Sequence, residues 1–205
     1  MDIKPMTAND LDDAVSLLAA SFHDRPFYRY LAPDAAERRI FLIDNFLQRI
    51  TQGLGVNETD LAIADGKAVG IAVWSPPAAS EPDAARHTTE ARAMEESLSM
   101  YSAGLRERFV SFIKTLTKAR EQTIRQPFWS LAPIAVLPDA RGKGVASALI
   151  KKKLKEIDKR SLPCFLGTQD AINVTIYEKF GFQKMREDPI SSDIIHYTML
   201  RSGGG

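Results

Sequence analysis

Apolar residues at Leu11, Ala14, Val15, Leu18 and Phe22 recur every three or four positions, the spacing that gathers side chains on one face of a helix. Thr7 and Asp10 stand just ahead of this run at capping-box spacing, with Asp where Glu is usual. A helix starting at Thr7 is therefore predicted, behind a short strand over residues 2–6. Between Ser21 and Pro33 the pattern lapses into an aromatic cluster bounded by two prolines. A second helix is predicted over about residues 34–51, with Ile40, Phe41, Ile43, Phe46, Leu47 and Ile50 as its apolar face.

The period then shortens. Residues 61–64 and 68–74 are apolar runs joined by Asp65-Gly66-Lys67, a hairpin turn signal. Ser75-Pro76-Pro77 ends the second strand. The roughly 50 residues from there to Gln126 are polar and helix-prone, and a structureless loop of that length does not suit a compact domain. Met94, Leu98, Tyr101 and Leu105, then Phe109, Phe112, Ile113 and Leu116, fit two helices broken near Gly104.

Residues 128–138 read as a buried strand, followed by the turn Arg141-Gly142-Lys143-Gly144 and a helix to about Lys159 carrying Ile150, Leu154 and Ile157 on one face. A further apolar strand is predicted over residues 163–167. Asp170 is placed to cap a short helix ending at Phe180, with Ile172, Ile176 and Phe180 as its buried stripe and Gly181 as its C-terminal cap. Two more strands are predicted over 182–185 and 194–200, before a flexible Ser202-Gly203-Gly204-Gly205 tail. No internal repeat interrupts this order.

Composition narrows the function classes. The 205 residues suit one domain: a core of about 150 residues and an insertion at about 78–126. A chain of this size buries roughly 70% of its unfolded surface and needs no metal or disulfide to hold a core. Lys+Arg number 27 against 26 Asp+Glu, for a net charge of +1. That balance argues against nucleic-acid and membrane-surface binding, which usually bring a basic excess. Cys164 alone can form neither an intramolecular disulfide nor a cysteine-based metal cluster, and His23, His87 and His196 lack ligand spacing. No apolar run approaches the ~18 residues of a membrane span. Met1-Asp2-Ile3-Lys4-Pro5 does not begin a signal peptide. A metal-free cytoplasmic protein is expected.

Two features carry candidate chemistry. A strand, a tight glycine turn and a helix aim free backbone N–H groups and a partial positive charge outward, which suits phosphate. Gly142 and Gly144 permit unusual backbone angles and close approach, and Arg141 and Lys143 add charge. The P-loop pattern is not met, because Gly144 follows Lys143. Ser147 holds the third small position of a dinucleotide fingerprint, yet the turn comes too late in the chain for a first βα unit. A plain strand–helix connection that happens to use glycine accounts for the same residues. The second feature is Asn173 and Tyr177, four apart and therefore neighbours on one helix stripe. An amide and a phenol beside a cleft can contact a polar ligand and pass a proton. A semi-buried tyrosine that merely packs is the other reading.

Taken together, these residues resemble the GCN5-related N-acetyltransferase (GNAT) superfamily. Its first signature is a strand ending in an Ala-Val-x-Pro-like segment, then [Gln/Arg]-x-x-Gly-x-[Gly/Ala]. It is matched by Ile134-Ala135-Val136-Leu137-Pro138 and Arg141-Gly142-Lys143-Gly144-Val145-Ala146. The second, Asn-x-x-x-Tyr-x-x-x-Gly-Phe, is met by Asn173, Tyr177, Gly181 and Phe182. The overall layout is similar to puromycin N-acetyltransferase-like members.

The resemblance implies an α/β GNAT fold. Its central sheet is mixed, mostly antiparallel and splayed at the strand ending near Pro138, with helices on both faces. It implies acetyl-CoA as cosubstrate, no metal, and direct acetyl transfer to a primary amine of a small molecule. A non-catalytic acyl-CoA sensor and a protein lysine or N-terminal acetyltransferase are the alternatives. Backbone groups of Ile134, Ala135 and Val136 would pair with the pantetheine arm. Amides of Gly142, Gly144, Val145 and Ala146, with Arg141 and Lys143, would hold the pyrophosphate. Asn173 would contact the pantetheine side, and Tyr177 would protonate the departing thiolate.

Pro133 cannot donate to a sheet ladder, which the splay would tolerate, though it also fits a merely irregular strand. Two departures stand out. Residues 128–137 hold no carboxylate to act as base, and the family's frequent Leu-Glu-[Ala/Thr] reads Leu166-Gly167-Thr168. On the acceptor side, Tyr28, Tyr30 and Tyr101 are candidates to receive the amine. Phe22 and Phe27 read as core residues, and Lys151-Lys152-Lys153 as a solvated helix face. The partners expected are acetyl-CoA and a small amine, with no nucleic acid or membrane, and a homodimer left open.

Overall fold

The computed structural model describes residues 1–77 and 97–203. Strand β1 (Asp2–Pro5) and a single 3₁₀ turn lead into helix α1 (Leu11–Phe22). Then follow α2 (Pro26–Leu31), α3 (Ala35–Gly53), β2 (Glu58–Ala64), β3 (Lys67–Ser75) and α4 (Ala103–Thr123). The second half holds β4 (Trp129–Val136), α5 (Val145–Asp158), β5 (Cys164–Thr168), α6 (Ala171–Glu178), β6 (Gln183–Pro189) and β7 (Ile195–Arg201). The seven strands form one sheet in the order β1-β2-β3-β4-β5-β7-β6. All neighbours run antiparallel except β4 and β5.

Strand alternation explains how the sheet is covered on both sides. On β3, Ile71 and Val73 face one cluster, with Leu17 and Leu18 of α1 and Leu42 and Phe46 of α3. Ala72 and Trp74 point the other way, to Leu149, Ile150, Leu154 and Ile157 of α5. A strand buried on both faces reads as a continuous apolar run, which is why residues 68–74 show no alternation in sequence. A third cluster ties α2, α3 and α4 together through Phe27, Leu31, Phe41, Leu105 and Phe112.

The joint between β4 and β5 shapes everything that follows. Their parallel pairing covers only Trp129↔Cys164 and Ser130↔Phe165. On its other edge, β4 pairs with β3 as far as Val136, and a bulge sets Ala132 and Pro133 opposite Val73. A bulge adds twist and bends its strand. Beyond Ser130 the two parallel strands part, and the edge of β4 toward β5 is left without a ladder partner. The expected splay is therefore present, and Pro133, which has no N–H to offer, lies inside it.

Several expectations change. The lapse between Ser21 and Pro33 contains helix α2, with Pro26 in its first turn, where a missing N–H is harmless. On α3, Phe41, Leu42, Phe46 and Ile50 are buried, whereas Ile40, Ile43 and Leu47 are exposed. Helix α4 begins at Ala103, so Gly104 lies in its first turn, and Ser102 caps it by accepting from the Leu105 amide. Met94 lies outside the described residues. Of the lysine run only Lys151 is exposed. Lys152 pairs with Asp60 at 2.6 Å, and the buried Lys153 pairs with Glu58 and Glu156 while lying 4.7 Å from the Trp129 ring. A cation buried this deeply needs such partners to offset its lost hydration. No described helix is long and apolar enough to cross a membrane.

Candidate active site

Where β4 and β5 part, a cleft of about 780 Å³ opens. Ile134, Ala135 and Val136 form its floor on the β4 side, and Thr168, Gln169 and Asp170 face them from the end of β5. Helices α5 and α6 close one side, and the α1–α2 corner closes the other.

The glycine turn lies at one end. Leu137 returns its amide to the Val69 carbonyl, and Pro138–Ala140 makes a single 3₁₀ turn. Gly142 (φ 73°) and Gly144 (φ 79°) then adopt left-handed backbone, which an L side chain resists by roughly 1–2 kcal/mol. Gly144 is the N-cap of α5, and the first helical bond inside runs from Ala148 N to its carbonyl. The amides of Val145, Ala146 and Ser147 thus have no partner within the helix, and all three residues line the cleft. Arg141 crosses the turn, donating from Nε to the Val136 carbonyl (3.2 Å) and from Nη2 to the Ser21 carbonyl (3.4 Å). Burial, and then the charge of Arg25, push its guanidinium below its ordinary value. This end can take an anion through backbone donors and a fixed cation. Lys143 is exposed and does not line the cleft.

Opposite, Asp170 caps α6 and binds Arg25 at 3.0 Å, joining the α1–α2 corner to the β5–α6 corner. Asn173 donates to the Thr168 hydroxyl at 3.1 Å. Tyr177 is 7% exposed. Burial, and then the Asp170 charge, raise its phenol to about 12, so it remains protonated across the physiological range. Its hydroxyl has no hydrogen-bond partner among the described residues, nor is it among the sealed, unpartnered polar atoms, so it is open to the cleft. The expected buried stripe of Ile172, Ile176 and Phe180 holds only at Phe180, which is half-buried against the core. Val174 and Tyr177 face the core, while Ile172 (65%) and Ile176 (36%) are exposed and line the cleft. An apolar ligand surface would cover them there.

Of the acceptor candidates, Tyr28 lines the cleft beside Phe22 and Phe27, and burial raises its phenol to about 12. The two phenylalanines serve both the core and the wall. Tyr30 and Tyr101 stand elsewhere: Tyr30 reaches the Ile190 carbonyl (3.5 Å), and Tyr101 donates to Asp44 (2.5 Å) against Phe41. Sequence reasoning missed Arg25, Gln169 and Asp193, which all line the cleft. None belongs to a motif; only the Asp170 cap position hinted that its neighbour Gln169 lies at a strand end. Gly167, where the family frequently has glutamate, is also informative. A Cβ there would sit 2.3 Å from Cε1 of the buried His196, so the imidazole fills that space.

Comparisons with known proteins agree with the fold. The family model described as acetyltransferase (GNAT) domain matches residues 62–201. One similar solved structure is described as histone acetyltransferase HPA2 and related acetyltransferase, from Corynebacterium glutamicum. It is 22% identical, with 99% of this chain and 96% of that one covered, at a TM-score of 0.68. An agmatine N-acetyltransferase is 15% identical over 98% of both chains, at a TM-score of 0.63. The PaiA N-acetyltransferase of Thermoplasma acidophilum, solved with coenzyme A, is 12% identical over 98% of this chain and 99% of its own, at 0.59. With a seven-stranded sheet opened between its parallel pair and a family match over two thirds of its length, this chain belongs to the GNAT acetyltransferase family.

Proposed function

We propose that this protein is an acetyl-CoA-dependent N-acetyltransferase acting on a small primary amine. The observation that carries the reading is the unpaired β4 edge, opening onto one cleft with the free amides of the glycine turn and the Tyr177 hydroxyl. The residues present fit the cosubstrate. Left-handed Gly142 and Gly144 leave room above the turn, where an added Cβ would meet nothing within 4 Å, and three helix amides await an anion. A backbone groove explains why the matched motif consists mostly of small residues.

Bound acetyl-CoA supplies an activated thioester carbonyl. The rest is done by the chain. Val145, Ala146 and Ser147 amides and Arg141 hold the pyrophosphate. The free edge of β4 at Ile134, Ala135 and Val136 binds the amide-bearing arm as an added strand would and directs an N–H at the carbonyl oxygen. Asn173, held by Thr168, borders the arm. A neutral amine forms the new carbon–nitrogen bond while the carbon–sulfur bond breaks, and Tyr177 gives its phenolic proton to the departing thiolate. The amine proton leaves through water in the cleft, which returns a proton to the Tyr177 phenolate. The aromatic wall of Phe22, Phe27 and Tyr28 favours an amine with an apolar body. The agmatine N-acetyltransferase neighbour supports a small acceptor.

The test is calorimetric binding of acetyl-CoA followed by a thiol-release assay over a panel of amines and peptides. Binding with turnover on small amines is expected. Absence of binding sinks the reading outright, and turnover confined to peptides replaces the acceptor class.

A further inference from the structure

His196 is the one fully buried histidine among the described residues, and nothing proposed so far uses it. It lies on β7, on the sheet face toward α4, with Phe112 edge-on at 6.2 Å. Its Nδ1 is 2.8 Å from Nε2 of Gln169. Its Nε2 is buried without a partner, and so is the hydroxyl of Thr198 two residues on, along the same face. Two stranded polar atoms are a burden that apolar residues would not bring, so the imidazole wants a reason beyond packing. Burial holds it neutral, its ionisation lowered to about 4. A neutral imidazole with its proton on Nε2 accepts at Nδ1. In that tautomer the Gln169 amide nitrogen donates to Nδ1, which leaves Oε1 as the free atom of the carboxamide. Gln169 lines the cleft. Its Oε1 has no hydrogen-bond partner among the described residues and is not sealed in the interior.

We propose that Gln169 receives the acceptor amine through its carboxamide oxygen, and that His196 is the positioning residue that turns this oxygen toward the cleft. This rests on the acetyltransferase reading above. The oxygen accepts an N–H of the amine and so orients the nitrogen lone pair, a role open to a neutral acceptor where the β4 strand offers no carboxylate. Gly167 is part of the device, because any side chain there would displace the imidazole.

The experiment measures steady-state kinetics with a panel of primary amines that includes phenethylamine and putrescine, alongside acetyl-CoA affinity by calorimetry. Gln169→Leu is expected to raise the amine KM tenfold or more, with kcat within threefold and acetyl-CoA affinity unchanged. Gln169→Glu keeps an acceptor oxygen but loses the amide donor to Nδ1, so its KM is expected to fall between those of wild type and Gln169→Leu. His196→Leu is expected to raise KM as Gln169→Leu does while the fold persists. An unchanged KM in Gln169→Leu overturns the proposal. So does a Gln169→Glu variant as poor as Gln169→Leu, since an acceptor oxygen would then make no difference to amine binding. If instead wild type binds no acetyl-CoA, it is the functional reading that fails.

Discussion

Replacing Tyr177 by Phe removes one oxygen and little else. The ring is 7% exposed and packs against Phe182 at a centroid distance of 6.0 Å, contacts that phenylalanine keeps. The hydroxyl has no partner among the described residues, so no buried group there is stranded and stability should move by less than about 0.5 kcal/mol. Its chemical task is different in size. A positioned general acid is worth roughly 10²- to 10⁴-fold, or about 3–5 kcal/mol of barrier. Tyr177→Phe should therefore lower kcat at least about a hundredfold while the melting temperature and acetyl-CoA affinity hold. The working form is the protonated phenol, which is present below its pKa of about 12. Wild type should accordingly show no alkaline loss from Tyr177 below about pH 10. Thiol release at saturating amine, followed from pH 6 to 10, measures both. A variant within about twofold of wild type kcat would refute the role of the phenol.

Three further outcomes follow from single contacts. Gly144→Ala meets no atom but must hold an alanine at φ 79°, at a cost of roughly 1–2 kcal/mol. If the turn relaxes to relieve it, calorimetry should show acetyl-CoA affinity reduced by about tenfold, and unchanged affinity counts against the anion role of the turn. Gly167→Ala places a Cβ 2.3 Å from the His196 ring, so urea unfolding should show about 1–3 kcal/mol of lost stability. His196 titrates near 4 in the fold against an ordinary 6.5. The unfolded chain binds its proton first, so stability is full above 6.5 and falls as pH drops from 6.5 toward 4, by at most about 3 kcal/mol. His196→Leu should flatten the stability profile across that window, and an unaltered slope argues that other groups set it.

Local signals told most where structure is local. The capping residues of α3 and α6, the Asp65-Gly66 hairpin and the glycine turn each follow from a few neighbouring residues. Periodicity located most helices and strands, since burial of one face leaves a repeat. It misassigned parts of a face on α3 and α6. Ile172 and Ile176 looked like core and line a cleft, and Ile40 and Leu47 looked like core and are exposed. An apolar side chain reports that something can cover it, not whether the chain or a ligand does so. Helix α2 was hidden because six residues between two prolines are too short to show a period.

The amino-acid sequence by itself determined the order of the seven strands and of the helices other than α2, the glycine turn, the Asn173–Tyr177 pair and, through them, the family resemblance. These depend on spacing along the chain, which tertiary packing does not alter. Only the folded structure decided where β4 leaves β5, that Arg25 meets Asp170 across 145 positions, and that His196 fills the room left at Gly167. Those relations join distant segments. Their physical cause is the packing of strands and helices in three dimensions, on which spacing along the chain is silent.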